Sequence, residues 1–420
     1  MAMLNLFKSA LTARYARLRY TIITMQTEIP TRRIALSQLG FRPFFLVTSL
    51  FAIIAISLWF SITAFNTHPV AMTQLAPVIW HAHEMIYGYA IAVIAGFLLT
   101  AVRNWTGVPT LNGLPLMMLV LLWGLARLMP FSDHALALPM MAALDLTFNL
   151  GLCLAILHPI IKGKHHKSLG VWLKLVALMA SNLLFYLGLY GVLSNGVQLG
   201  LYSGLYLIIS FILLLGRRVI PMFIRNGVGY PVTLTNRRWL DISCLLLLLI
   251  FIVTQVFLPL PALAALCAGL LCLLHAIRLA GWHTAGIWKK PLLWILYLAY
   301  GWITIGFGVT AAAYLFDFNH KLALHAFAYG GIGLITLGMM ARVALGHTGR
   351  DVSQPPAILG WVFTAILTGS VLRVLLPVII PQWHAMWIAG SQLLWIVAFI
   401  LFISVFAPML VRPRIDGKPG

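Results

Sequence analysis

The sequence predicts an all-α fold, a polytopic membrane helical bundle of about twelve transmembrane helices. Hydrophobic residues make up 62% of the chain and charged residues only 9%, and the mean hydropathy is +0.98. Soluble globular domains carry about a quarter of their residues as charged side chains, so this composition excludes that class. The apolar residues stand in continuous runs rather than in alternation, which favours helices over the strands of a barrel.

Twelve apolar runs approach the length of roughly 20 residues that a helix needs to cross hydrocarbon. The predicted spans are 43–65, 80–102, 114–130, 135–158, 169–193, 198–220, 239–258, 261–281, 291–316, 322–346, 357–380 and 385–411. Their connections are short, so we expect a single membrane domain over 42–411. A basic N-terminal arm over 1–41 and a short basic tail over 412–420 flank this domain.

The basic residues predict the orientation of the bundle. There are 28 Lys and Arg residues against 8 Asp and Glu residues, a net charge of +20. They collect in the terminal segments and in alternate loops, with Lys321 as the clear exception, and loops of this kind face the cytoplasm. We therefore expect both termini of this multi-pass membrane protein to be cytoplasmic. The basic loops would contact anionic membrane lipid, and we expect no nucleic-acid partner.

The four cysteines argue against two kinds of site. All of them lie inside apolar runs and none forms a Cys-x-x-Cys pair, so we expect neither a disulfide framework nor a thiolate zinc site. The haem-attachment motif Cys-x-x-Cys-His is also absent. Any haem would therefore be held without a covalent bond, and haem b is the expected cofactor.

The densest polar stretch stands at the start of the second span, at its predicted periplasmic edge. It contains His81, His83, Glu84 and Met85. Ionisable groups in membrane spans are costly and usually functional. Residues three and four apart share a helix face, so we expect His81, Glu84 and Met85 on one face and His83 with Tyr87 on the opposite face.

These residue types suit a metal or a haem. Imidazole suits copper and iron, thioether selects copper(I), and Glu84 would accept a hydrogen bond from the second nitrogen of a ligand histidine. The alternative interpretation is structural. In that case the polar groups lie in the interface and bond to loops and water, with Trp80 in the aromatic belt.

The span 322–346 is the second stretch with candidate site residues. His325 and Tyr329 stand near its periplasmic start, and Arg342, His347 and Arg350 lie at or beyond its other end. A regular helix of 22 residues is roughly 33 Å long, so His325 and His347 would belong to different sites. Arg342 and Arg350 would either bind haem propionates or mark the cytoplasmic side.

Other polar residues well inside the spans need partners on neighbouring helices. Asp145, Asn182 and Tyr186 are expected to form hydrogen bonds between helices, as packing contacts or along a proton or ligand path. Arg127 and Arg373, at periplasmic span ends, are expected to pair with Glu84, Asp133 or haem carboxylates. The sequence does not choose among these partners.

Several motifs together make the chain similar to the NnrS family. They are Arg42-Pro43-Phe44-Phe45, Trp80 to Met85 continuing through Thr106-Gly107, Arg217 to Phe223, His325-Ala326 through Arg342, and Gly346-His347-Thr348-Gly349-Arg350. The resemblance implies a haem- and copper-containing inner-membrane protein of denitrification and the nitric oxide response, which helps cells to withstand nitrosative stress. The motif residues would be His81, His83, His325 and His347, with Glu84, Arg342 and Arg350 beside them.

The leading site hypothesis is a cluster of His81, His83 and His325 that binds haem and copper. Met85 would add a thioether ligand, and Tyr87 and Tyr329 would support the ligands. Nitric oxide would be the small-molecule ligand, and an electron donor of unknown identity would be the partner. Whether the protein turns nitric oxide over stays open at this stage.

Two other functions are compatible with the sequence. A secondary transporter would use the buried polar residues as an intramembrane pathway, although the halves show no obvious repeat. An enzyme of the haem–copper oxidase type would need about six ligand histidines, including an adjacent pair. The one adjacent pair, His165-His166, stands in a basic loop, which disfavours that enzyme.

Overall fold

The computed structural model describes residues 35–67, 75–317 and 319–418. Most of the predicted basic arm, residues 1–34, lies outside the described residues. The described part of the chain contains twelve helices long and apolar enough to cross a membrane, and it contains no strand. The prediction of an all-α, twelve-helix membrane protein is confirmed, whereas the cytoplasmic placement of the termini stays a prediction.

The helices are as follows: α1 Phe41–Phe65, α2 Pro77–Thr106, α3 Leu114–Phe131, α4 Ala137–Lys162, α5 His166–Leu189, α6 Gly196–Gly227, α7 Arg238–Phe257, α8 Pro261–Trp282, α9 Pro291–Phe316, α10 His320–His347, α11 Ile358–Ile379 and α12 Pro381–Val411. Proline is the first residue of four of them, a position where its missing N–H costs no helical hydrogen bond. Helix α2 is terminated by the residue that follows it, Gly107, whose φ of +69° gives the left-handed turn found at the end of many helices.

Helices α2 and α10 form the centre of the bundle. In their most apolar 18-residue windows, 78% and 72% of the residues are buried, against 61% or less in every other helix described. Helices α1, α6, α9, α11 and α12 pack around these two. The two spans that carry most of the candidate histidines are therefore also the two most enclosed by protein.

Both central helices contain a turn of π-helix directly after their histidines. The π segment spans Glu84–Ala90 in α2 and Ala326–Gly333 in α10. In α2 the amide of Ile91 donates to the carbonyl of Ile86, five residues back. Such segments are rare and frequently mark functional sites, so their occurrence in both helices directs attention to the space between them.

Two glycines of α2 make different close approaches. A Cβ at Gly96 would lie 2.9 Å from side-chain carbons of Phe44 and Phe45, so Gly96 allows α1 and α2 to pack closely. A Cβ at Gly88 would lie 2.7 Å from a carboxylate oxygen of Glu84 and 2.8 Å from a guanidinium nitrogen of Arg127. Gly88 therefore makes room for an ion pair, a role that the sequence did not indicate.

Arg42 has a structural role beyond a topology signal. Its side chain is fully buried, and Nη1 donates to the carbonyls of Leu410 at 2.9 Å and Arg412 at 2.7 Å. The last carbonyls of a helix have no partner within the helix. Arg42 thus caps the end of α12 and fixes it to the start of α1.

The described part of the tail folds back on the end of α10. Arg414 donates to the backbone carbonyl of His347 at 3.1 Å and forms two hydrogen bonds with Asp416. These hydrogen bonds from Arg414 lower the pKa of the Asp416 carboxyl below its ordinary value. The tail therefore contributes to packing at this end of the bundle.

We predict that Arg42→Ala destabilises the protein. Two carbonyls at the end of α12 lose a charged donor, which should lower the free energy of unfolding by about 1.5–3 kcal/mol. The measurement is the melting temperature of the purified protein in detergent. Arg218→Ala, which removes an exposed arginine, is the matched control, and equal melting of the two variants would contradict the capping role.

Candidate functional site

A cavity of about 530 Å³ lies between α2 and α10, at the face of the bundle where both helices begin. Aliphatic side chains of α2, α6 and α10 and aromatic rings of α1, α2, α10 and α12 form most of its wall. Its polar and aromatic lining residues include Trp59, His81, Met85, Tyr89, Lys321, His325, Tyr329, Arg373, His384 and Trp395. Ligand sites of this kind are concave and mostly apolar, with a few polar groups that fix the ligand.

His81 is held flat against an aromatic ring. Its imidazole stacks on Trp59 with the ring centroids 4.5 Å apart and an angle of 5° between the planes. Nδ1 of His81 is buried and has no hydrogen-bond partner. Met85 lies one turn further along α2 and lines the same cavity. His81 therefore offers an imidazole that has a fixed orientation and a nitrogen without a hydrogen-bond partner.

His325 faces the cavity from α10 with both ring nitrogens in use. Nδ1 lies 2.7 Å from the carbonyl of Lys321, which can only accept, so Nδ1 carries the proton. Nε2 therefore has the lone pair, and it accepts a hydrogen bond from Nη2 of Arg373 at 2.8 Å. The nitrogen that would bind a metal is thus covered by Arg373, from helix α11.

Tyr329 and Trp395 form another wall of the cavity. The Tyr329 hydroxyl donates to the carbonyl of Ser391 at 2.7 Å, and its ring packs edge-on against Trp395. A Cβ at Gly369 would lie 2.0 Å from the Tyr329 hydroxyl, so only glycine leaves room for this side chain. The aromatic wall is therefore fixed by contacts among α10, α11 and α12.

His83 lies in a separate buried cluster. Its Nδ1 is 3.3 Å from Glu84 Oε1, and its Nε2 is 3.1 Å from Asn182 Oδ1 and 3.5 Å from Asp145 Oδ2. His83 is fully buried and its ring packs against that of Phe185, with the ring centroids 4.4 Å apart. Both of its nitrogens face oxygen acceptors, so neither is available to a metal in this geometry.

Arg127 is the centre of this cluster. Nη1 donates to Glu84 Oε2 at 2.9 Å, and Nη2 forms a short ion pair with Asp145. The second oxygen of Asp145 accepts a hydrogen bond of 2.7 Å from Tyr186. The cluster joins α2, α3, α4 and α5 in a region from which water is excluded, where an unpaired charge would be very costly.

The predicted helix faces of α2 were wrong for Glu84. It was expected beside His81 and Met85, but it lies with His83 in the Arg127 cluster. At about 100° per residue, Glu84 is about 60° from His81 and about 100° from His83, so helical geometry alone leaves it between the two faces. The ion pair with Arg127, on α3, determines the direction of the Glu84 side chain. The predicted pairing of Arg127 with Glu84 is confirmed.

The structure brings His81 and His325 to one cavity and places the other candidates elsewhere. Tyr87 donates to the carbonyl of Gly200 at 2.6 Å, on the side of His83. His347 packs on Phe41 at the other end of α10, with the ring centroids 5.6 Å apart. Arg342 lies over the ring of Phe223 at 3.6 Å. The three-histidine cluster of His81, His83 and His325 is therefore not formed.

Arg350 follows α10 at the same end as His347. Its amide donates to the carbonyl of Leu345 at 3.0 Å, and its Nη1 is buried without a partner. His347, Arg342 and Arg350 thus belong to a region separate from the cavity, as the length of the span predicted.

Sequence reasoning missed several of the cavity residues. Trp59, Tyr89 and Trp395 carry no local signal, because aromatic residues are frequent throughout the spans. Arg373 was noted as a lone arginine at a span end, yet its pairing with His325 depends on the packing of α10 against α11. Within the described residues, no group of three or more His, Cys, Asp or Glu side chains is arranged to hold a metal ion.

We predict that Arg127→Met is strongly destabilising. It leaves two carboxylates buried without a cation, which should cost about 3–5 kcal/mol of unfolding free energy. The triple variant Arg127→Met, Glu84→Gln, Asp145→Asn removes the charges together and should recover most of that loss. Thermal melting in detergent measures both, with Arg225→Met at an exposed position as control. A triple variant no more stable than Arg127→Met would refute charge imbalance as the cause.

The comparisons with known proteins bear on the whole membrane domain. Among curated proteins, none matches the chain. A family model described as NnrS protein matches residues 35–414 of the 420 residues, which includes every helix and both central histidine segments. The chain therefore belongs to the NnrS family, and this membership suggests a role in the nitric oxide response.

Proposed function

We propose that the protein binds haem b in the cavity between α2 and α10 and acts in the nitric oxide response through that site. The observation that carries the proposal is the presence of two histidines, one from each central helix, on a single cavity enclosed by the bundle. Family membership supports the physiological context. The bacterial inner membrane is the expected location, since the twelve helices and the family both indicate a multi-pass membrane protein.

The residues of the cavity fit a haem in their chemistry. The cavity offers two imidazoles, and Nδ1 of His81 is buried without a partner. Flat aromatic rings and aliphatic side chains form most of the remaining wall, as an apolar macrocycle requires. A haem iron with an open position supplies a site at which nitric oxide binds and exchanges electrons.

The side chains around His81 and His325 have distinct tasks in this proposal. Trp59 fixes the plane of the His81 ring by stacking. The carbonyl of Lys321 holds the proton of His325 on Nδ1, which directs the lone pair of Nε2 into the cavity. Arg373 must move off Nε2 before His325 can act as a ligand. His81 therefore needs less rearrangement to bind iron than His325 does.

Copper is proposed as a second metal of the same cavity. His81, His325 and Met85 offer two imidazoles and one thioether, donors that suit copper. This set contains one donor fewer than the predicted cluster, because His83 bonds to Glu84 and Asn182 instead.

The optical spectrum of the purified protein tests this function. The wild-type protein should show a Soret band that shifts when nitric oxide is added, and His81→Ala should lower the haem content by roughly tenfold or more. His325→Ala should lower it or change the spin state. His158→Ala, at an exposed position of α4, is the control. A protein reconstituted with haem that shows no Soret band would refute the proposal.

The second candidate function is secondary transport, which one observation favours. The cavity lies between two helices whose regular hydrogen bonding is interrupted, and transporters place their substrates beside such interruptions. Uptake of a substrate into proteoliposomes that persists in a His81→Ala, His325→Ala double variant would support transport over the haem proposal. Loss of uptake with loss of the Soret band would connect any transport to the haem.

A further inference from the structure

Arg373 is a half-buried cation that pairs with no carboxylate among the described residues. Its Nη2 donates to the neutral imidazole of His325, and its Nη1 is buried without any partner. A charged group removed from water costs several kcal/mol unless an opposite charge and hydrogen bonds compensate for it. In a membrane-spanning helix such a group usually marks a functional site.

Arg127, a buried arginine at this end of the bundle, has its charge compensated by carboxylates. Arg127 has Glu84 on one nitrogen and Asp145 on the other. Arg127 lies near the end of α3 and Arg373 near the end of α11, at the same end of the bundle. The described part of the chain thus supplies two carboxylates to the guanidinium of Arg127 and none to that of Arg373, which favours a ligand as the source of the counter-charge of Arg373.

The other side chains that line the cavity and can carry a charge near neutral pH are basic, like Arg373. Among the described residues that line it, none is Asp or Glu, whereas Lys321 and His384 stand near its mouth. Nε1 of Trp395 is a further buried donor without an acceptor. Clefts lined by one sign of charge attract ligands of the opposite sign. Lys321 was the exception to the predicted loop charges, and its position at this mouth gives it a role.

We propose that the cavity binds a planar anion with two oxygens on Arg373. The guanidinium group matches carboxylates and related oxyanions, because its N–H groups form a rigid fork. The anion is either a propionate of a bound haem or a free anion of the nitrite class. This inference deepens the proposed function, because it assigns the charge and shape of a ligand in the same cavity, but its nitrite test does not require haem.

The test compares the protein as purified with Arg373→Gln, Arg373→Lys and the exposed control Arg218→Gln. Calorimetric titration with sodium nitrite and with sodium acetate measures binding of the free anions at constant ionic strength. Resonance Raman spectroscopy of any bound haem measures the bending mode of its propionates. Arg373→Lys keeps the charge without the fork, so it gives a well-folded variant should the glutamine variant fail to fold.

Two results would support the proposal. Nitrite or acetate binds the wild-type protein and Arg218→Gln, and Arg373→Gln weakens this binding by roughly tenfold or more, with Arg373→Lys between them. Alternatively the free anions do not bind, and the propionate mode shifts in the Arg373 variants alone. Nitrite binding by a protein that shows no Soret band after reconstitution with haem would support this inference while refuting the haem proposal. Identical binding and identical Raman spectra in all four proteins would overturn it.

Discussion

The bundle depends on one buried interaction, the guanidinium of Arg127 held between the carboxylates of Glu84 and Asp145. It ties α2 to α3 and α4, and through Tyr186 and Asn182 it reaches α5. Because an unpaired charge is so costly there, the pairing fixes the rotation of α2 about its own axis. That rotation directs His83 into the cluster and leaves His81 and Met85 to face the cavity.

The same reasoning gives opposite meanings to two similar arginines. Arg127 has a carboxylate on each of its two terminal nitrogens, so its charge is balanced within the protein. Arg373 bonds to an uncharged imidazole, and no carboxylate among the described residues balances its charge. A buried charge therefore indicates function here only after its partners are counted, and neither position in the span nor residue type distinguishes the two.

Composition and helical periodicity were enough to predict the helices. They were not enough to predict contacts that depend on the packing of helices distant in the sequence. Twelve apolar runs became twelve helices, and the distance between His325 and His347 followed from the rise of a helix. Glu84 was misplaced because helical angles leave it between two faces, and the decisive cation stands on α3. The cavity walls Trp59 and Trp395 lie on α1 and α12, far apart in the sequence, so no local pattern could assign them.

The π-helical segments of α2 and α10 connect the histidines to the rest of the cavity. The segment of α2 follows His81 and His83, and that of α10 follows His325. Each segment rotates the residues after it about the helix axis, relative to a regular α-helix. On α2 this rotation brings Tyr89 to α10, where its hydroxyl lies 2.7 Å from Thr336 Oγ1 and its ring packs against Trp395. The spacing between the two imidazole-bearing helices is therefore set by contacts deep in the bundle rather than by loops. A ligand that joins His81 and His325 must match a spacing that the bundle has already fixed.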